Sequence, residues 1–233
     1  MISNIELQKA FKNIRYNDSD HTYYNVITGK SLMPTTTYKK KFQNEFENYY
    51  YWLDRKAKEN GISQEEMQEE WTEAKIIGVG RGQAIHEFAE ALSWRKYTKL
   101  DLNYPQISKL KRQVLAYFKQ DSYYNIATEF VVSNDKVSGT IDRLVWDDNK
   151  GVGLVDYKTD KEFKDSYGKF LKPPYNEYPD NTLHGYYIQC NIYRQILEDA
   201  GFKVDFMEIV HFGISNDTFE IHQVPVIPID FNL

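Results

Sequence analysis

Apolar residues fall at helical spacing in the first and middle thirds of the chain and alternate in pairs of short runs later. Residues 3–14 carry Ile5, Leu7, Ala10, Phe11 and Ile14, the pattern of a short amphipathic helix. Residues 18–33 read as a hairpin, with Tyr23, Tyr24 and Val26 before Thr28-Gly29 and Leu32 and Met33 after it. Pro34-Thr35-Thr36-Thr37 leads into a helix whose aromatic run, Phe42, Phe46, Tyr49, Tyr50 and Trp52, is expected in the core, and Gly61 closes it. Ser63-Gln64-Glu65-Glu66 is a capping box that opens the next helix, which is expected to break at Gly78-Val79-Gly80. A new helix then spans residues 81–94, and Pro105 begins another through Phe118. Strands follow over residues 126–132, 136–146 and 152–158, then a helix from Leu183 to Ala200 ended by Gly201. Strands over 205–214 and 218–224 finish the sheet. This order makes one α/β domain over residues 1–233. Residues 1–120 are mostly helical, and residues 121–233 carry a central mixed sheet flanked by helices.

The strand over 152–158 is the unusual one. Side chains alternate faces along a strand, so Val152, Leu154, Asp156 and Lys158 share one face. Two apolar residues lead into an acid and a base. Asp142, on the preceding strand, is placed to sit beside Asp156. Two neighbouring carboxylates repel unless a cation lies between them, and oxygen ligands suit a hard divalent ion such as Mg2+ or Mn2+. The plain alternative is an edge-strand ion pair between Asp156 and Lys158, with Asp142 in water.

Two helices add polar groups at one-turn spacing. His86 and Glu90 share a face with Gly82, where the missing side chain permits close approach. Gln189 and Tyr193 share a face with Tyr186, and Gln189 serves equally well as a structural amide. Lys39, Lys40, Lys41, Arg81 and the group Lys109, Lys111, Arg112 are candidate phosphate contacts or ordinary solvated helix faces. The stretch from Lys172 to Pro179, with three prolines, is a loop placed to close over a substrate.

Composition narrows the classes. A hydrophobic fraction of 41% and a charged fraction of 27% suit a soluble globular chain, and the net charge of −5 neither advertises nor excludes a nucleic-acid partner. A single cysteine, Cys190, excludes an internal disulfide and a four-cysteine iron–sulfur cluster. No apolar run reaches membrane-spanning length and no signal segment opens the chain, so a cytoplasmic location is expected, in a bacterial or phage-infected cell.

Four motifs in order, Gly82-x-x-x-His86, Gly139-Thr140-Ile141-Asp142, Asp156-Tyr157-Lys158-Thr159 and Gln189-x-x-x-Tyr193, resemble those of the PD-(D/E)XK nuclease superfamily. The likeness is to its RecB-like exonuclease group, which includes mitochondrial genome maintenance exonuclease and its phage and prokaryotic relatives. His21-Thr22-Tyr23-Tyr24, Thr28-Gly29-Lys30 and Pro34 to Thr37 resemble that group's entry segment, so the likeness spans roughly residues 20–215. It implies a restriction-endonuclease-like core with a helical N-terminal elaboration. It implies that Asp142, Asp156 and the Tyr157 carbonyl hold Mg2+ or Mn2+. His86 would be a further ligand or would orient the site, and Glu129 and Glu90 are lesser candidates. Lys158 would orient the attacking water, aid its deprotonation or offset charge, while Gln189 and Tyr193 position the strand.

The expected function is a metal-dependent DNA exonuclease acting on single-stranded or tailed ends in recombination, repair or replication. The chain has no phosphate-binding loop, so any unwinding falls to a partner such as a helicase or a single-strand-binding protein. The alternatives are a structure-specific endonuclease and an inactive nucleic-acid-binding protein of the same fold. For the exonuclease, residues 34–120 and the loop 173–179 are expected to form a narrow passage over the metal, with Tyr49, Tyr50, Tyr51 and Trp52 able to stack on bases.

Overall fold

The computed structural model describes residues 3–17, 22–45, 48–96, 98–100 and 103–232; His21 and Phe46 lie outside the described residues. Helix α1 (Asn4–Ala10) opens on a reciprocal cap between Ser3 and Glu6. It is shorter than its apolar spacing predicts. Ile14 begins a strand instead, β1 (Ile14–Asn17), which pairs antiparallel with β2 (Thr22–Asn25). There Ile14 packs with Tyr23 and Leu32 in a small cluster, so sheet packing overrides helical periodicity. The predicted hairpin is present between β2 and β3 (Ser31–Pro34), and Gly29 at its turn has φ +67°.

The single helix expected after Pro34 is two, α2 (Thr35–Lys40) and α3 (Tyr49–Asn60). Between them the backbone is claimed from outside. The Phe42 carbonyl accepts from the Lys172 amide at 2.6 Å, and the Asp180 carboxylate accepts from the Asn44 amide at 2.7 Å. Phe42 is buried as expected, whereas Tyr49, Tyr50 and Trp52 are exposed rather than in the core, and Tyr51 beside them is exposed too. Gly61 caps α3 in the left-handed conformation.

The expected break at Gly78-Val79-Gly80 does not occur. Helix α4 (Gln64–Ser93) runs unbroken for 30 residues from the predicted capping box of Ser63 and Glu66. Gly80 is there for packing: a Cβ on it would stand 2.6 Å from the Tyr104 hydroxyl. Helix α5 (Ile107–Gln120) starts two residues beyond Pro105, after Gln106 in a left-handed conformation.

Strands β4 (Tyr124–Ser133), β5 (Val137–Asp147) and β6 (Gly151–Lys158) form the predicted antiparallel meander. Helix α6 (Thr182–Asp199), β7 (Phe206–His211) and β8 (Glu220–Gln223) complete the chain. The eight strands make one mixed, open sheet in the order β1-β2-β3-β5-β6-β7-β8, with β4 on β5. The strands β1 to β3 therefore belong to the same sheet as the rest, and the first 120 residues are not only a helical elaboration. Pairs β3·β5 and β6·β7 are parallel. One face packs Ile141, Leu154 and Ile209 against α2 and α6. The other packs Val145, Val155 and Val210 against Ile85 of α4 and Leu110 and Val114 of α5. Among the described residues no helix is long and apolar enough to cross a membrane.

One feature of the topology places the site. Strand β5 pairs with β3 only at Val137 and Ser138, and with β6 only from Arg143 to Asp147. The stretch from Gly139 to Asp142 lies where those two neighbours part, so that edge of its backbone meets an open notch while its other edge stays paired with β4.

Candidate active site

Asp142 stands at the notch. Its Oδ2 accepts the Tyr157 amide at 2.7 Å and lies 3.5 Å from His86 Nδ1. Helix α4 brings His86 this close because Gly82 lets the helix approach the end of β6; a Cβ there would be 3.1 Å from the Thr159 hydroxyl. The third member is Glu129 on β4. The register brackets it opposite Asp142, between Thr128↔Arg143 and Phe130↔Ile141, and it has φ +43°. The ligand atoms of His86, Glu129 and Asp142 all lie within 4.8 Å of one another. Glu129 is exposed at the mouth, yet its carboxyl is pushed up to about 8 by the crowding of protein around it and then by the charges of Asp142 and Glu90. Glu90 itself accepts from the Thr128 hydroxyl at 2.7 Å.

On β6, Val152 and Leu154 enter the α6-side core as the alternation predicts, and Asp156 and Lys158 follow as an ion pair. Asp156 is 2% exposed, and burial pushes its carboxyl up while Lys158 pulls it down. Burial works against the Lys158 charge, but Asp156 and then Asp142 outweigh it and push the ammonium up. The Lys158 charge is thus favoured where it sits, 4.7 Å from the centre of the Tyr186 ring.

The basic run at the end of α2 divides. Lys39 turns inward, donates to Gln189 Oε1 at 2.8 Å and lies 4.5 Å from the centre of the Tyr186 ring, which Lys158 also meets. Burial, followed by repulsion from Lys158, pushes its amine down to about 8. Lys40 and Lys41 are exposed, and Lys41 lies over the Tyr38 ring. Gln189 donates to the Tyr193 hydroxyl at 3.1 Å, and Tyr193 closes on Gly139, where a Cβ would stand 2.7 Å from the ring. Gln189 and Tyr193 therefore fasten Lys39 and the start of the Gly139–Asp142 stretch. The Tyr157 side chain packs into the aromatic core beside Tyr117 and Phe212.

Beside this group opens a cleft of about 420 Å³, lined among others by Lys75, Arg81, His86, Lys158, Lys161 and Tyr186. Arg81 reaches the Pro105 carbonyl at 3.4 Å with Nη1, and its Nε is buried with no hydrogen-bond partner. Lys109, by contrast, is tied to the Ile214 carbonyl at 2.9 Å and to Asp217. The loop 172–179 does not line the cleft. Tyr175 is buried, stacks edge-on to Phe42 and reaches the Pro228 carbonyl at 3.2 Å, so the loop is stitched to α2 and the C-terminal segment.

Sequence reasoning missed the inward turn of Lys39 and the weight of Glu129. Lys39 precedes Lys40 and Lys41 with nothing in the pattern to separate them. Glu129 interrupts an apolar strand between Ile126 and Val132, and that interruption was its signal. The donor set of one imidazole and two carboxylates fits a hard or borderline divalent ion such as Mg2+ or Mn2+. Without a cation, burial and the Asp142 charge drive Glu129 towards its protonated form. The chain matches no protein-family model and no curated protein.

Proposed function

We propose that this chain is a divalent-metal-dependent deoxyribonuclease of the PD-(D/E)XK type. The observation that carries the reading is the convergence, at the notch between β3 and β6, of His86, Glu129 and Asp142 with the buried Asp156–Lys158 pair beside a cleft lined by cations. His86, Glu129 and Asp142 would hold Mg2+ or Mn2+, with Asp156 and the Tyr157 carbonyl as further oxygen donors. A metal bound there supplies a nucleophilic water at neutral pH and a Lewis acid for the phosphoryl oxygen.

The protein's own part is electrostatic and positional. Asp156 and Asp142 favour the Lys158 charge, so its role here is a cation facing the developing phosphorane. Lys75, Arg81 and Lys161 line the cleft where a phosphate backbone would run. Lys39, held by Gln189, keeps a second amine near Lys158.

Attack from a free end is the reading favoured by the motif order. One observation favours cleavage within a strand: the loop 172–179 is fastened away from the cleft, so it does not roof a threading passage. End-labelled linear single-stranded and duplex DNA, digested beside a closed single-stranded circle of the same sequence in Mg2+ or Mn2+, tests both. Metal-dependent loss of the linear strand with the circle spared is the expected result. Equal rates on circle and line make the enzyme an endonuclease, and no cleavage of any substrate in either metal rejects the nuclease.

A further inference from the structure

The hairpin of β7 and β8 carries a second group of metal-ligating side chains, on the far side of β6 from Asp142. The register pairs His211 with Glu220 and Ile209 with His222. Glu220 and His222 are two apart on one strand, so both project to the face that His211 occupies on the other. Their ligand atoms lie within 4.8 Å of one another. Glu220 Oε2 is 3.4 Å from His211 Nδ1 and 3.5 Å from His222 Nε2.

Two details orient the lone pairs inward. His211 is 2% exposed and its Nε2 lies 2.9 Å from the Asp160 carbonyl. A carbonyl only accepts, so Nε2 carries the hydrogen, and Nδ1 is the nitrogen turned towards Glu220 and His222, where a metal would take the place of any proton on it. A metal-bound histidine is commonly fixed in this way, with its other ring nitrogen donating to a backbone carbonyl. His222 Nε2 is shut off from water and has no hydrogen-bond partner. Phe163 stacks on His211 at 4.1 Å between ring centres and meets His222 edge-on at 5.2 Å, forming an apolar wall. Glu220, 49% exposed, leaves the opposite side open for a water as the fourth ligand.

We propose that His211, Glu220 and His222 form a site for a borderline transition-metal ion of the Zn2+ class, separate from the His86–Glu129–Asp142 group. Two imidazoles and one carboxylate are donors that Zn2+ accepts in tetrahedral geometry and that Mg2+ disfavours. The ion would clamp the hairpin to the segment after Lys158. The Asp160 carbonyl is on His211, the Asp160 carboxylate accepts from the Tyr186 hydroxyl at 2.7 Å, and Phe163 lies against both histidines. This segment is a wall of the cleft, so the site acts by holding that wall, whatever chemistry the cleft performs.

The test is Zn2+ binding by the full chain, stripped of metal with a chelator, in excess Mg2+, read by competition with a chromophoric chelator. His222→Ala should bind one equivalent fewer than wild type, or bind it at least ~100-fold more weakly, beyond the 10–100-fold common for an outer-shell change. Zn2+ should raise the melting temperature of wild type and of His86→Ala but not of His222→Ala. Co2+ should give visible absorption bands under the same rule. Glu220→Gln, at an exposed position of nearly equal shape, should weaken Zn2+ in the same direction and serves if His222→Ala folds poorly. Unchanged Zn2+ binding in both hairpin variants, loss confined to His86→Ala, or no stoichiometric Zn2+ in wild type would each overturn the site.

Discussion

Glu129 faces Asp142 across neighbouring strands, and it is the one residue of β4 with a positive φ. A non-glycine residue held there without a turn is a strained conformation of the kind found at functional positions. Placing its carboxylate beside Asp142 and His86 gives that conformation a purpose. Asp142→Ala and Asp156→Ala should abolish metal-dependent cleavage, while DNA binding persists or tightens because negative charge near phosphate is gone. Glu129→Gln should raise the Mn2+ concentration needed for half-maximal rate by at least ~10-fold. Wild-type cleavage by either alanine variant would remove the assignment.

Lys158→Met keeps length and loses charge. The rate at saturating substrate should fall at least ~100-fold, about the loss on removing one donor to a transition-state charge. A Met variant within a few-fold of wild type would make Lys158 a structural partner of Asp156.

Lys39 carries a pH signature. Its amine is pushed down from 10.5 to about 8 in the folded chain. Below pH 8 both folded and unfolded forms are protonated and the cost of burying the charge is present in full. Between pH 8 and 10.5 the folded amine is neutral while the unfolded one still binds its proton, so this group makes stability rise with pH. Lys39→Met should therefore be more stable than wild type at pH 7, by an amount that shrinks from pH 8 towards 10.5. Urea midpoints of both proteins across that range measure it, and a constant difference contradicts it.

Gly139→Ala puts a methyl 2.5 Å from the Thr35 hydroxyl and 2.7 Å from the Tyr193 ring. Both neighbours are buried, and Thr35 is tied to the Ser138 carbonyl at 3.0 Å, so neither yields easily. Overpacking of this kind costs about 1–3 kcal/mol. The variant should melt lower and cleave more slowly, because the displaced strand leads straight to Asp142. Thermal melts paired with initial rates check both effects.

Arg81→Ala and Lys161→Ala should each weaken binding to DNA of any sequence and lower the slope of log affinity against log salt by about 1. Lys109→Ala should leave that slope unchanged, since its charge is engaged by Ile214 and Asp217. Titrations at several salt concentrations separate the three.

The sheet core was legible because its strands are short apolar runs between clear turns, buried almost throughout in β6 and β7. The meander β4–β6, the helix α6 with its Gly201 stop and the capping box of Ser63 and Glu66 follow from local rules. What failed depended on distant partners. Helix α2 stops where Lys172 and Asp180 take its backbone, and Gly78 and Gly80 leave α4 intact because a glycine costs a long helix only about 1 kcal/mol. Ile14 fits a helix and a strand equally well until Tyr23 and Leu32 are beside it. At the site, Asp156 and Lys158 declared themselves as charges ending an apolar strand, and Asp142 as a charge inside one. Glu129 became prominent only once the register set it against Asp142, and the His211–Glu220–His222 group only once two strands folded together.

The unbroken run of α4 has a mechanical consequence. Its first turns pack on α3 through a small core of Leu53, Ala57 and Met67, away from the sheet, while its later turns carry His86. Some 22 residues separate Gln64 from His86, about 33 Å at helical rise. A continuous helix is stiff over that length, so the α3–α4 tip and the imidazole behave as the two ends of one lever. The exposed tyrosines open α3 beside Trp71 of α4, so a load on them would reach His86 through that same helix.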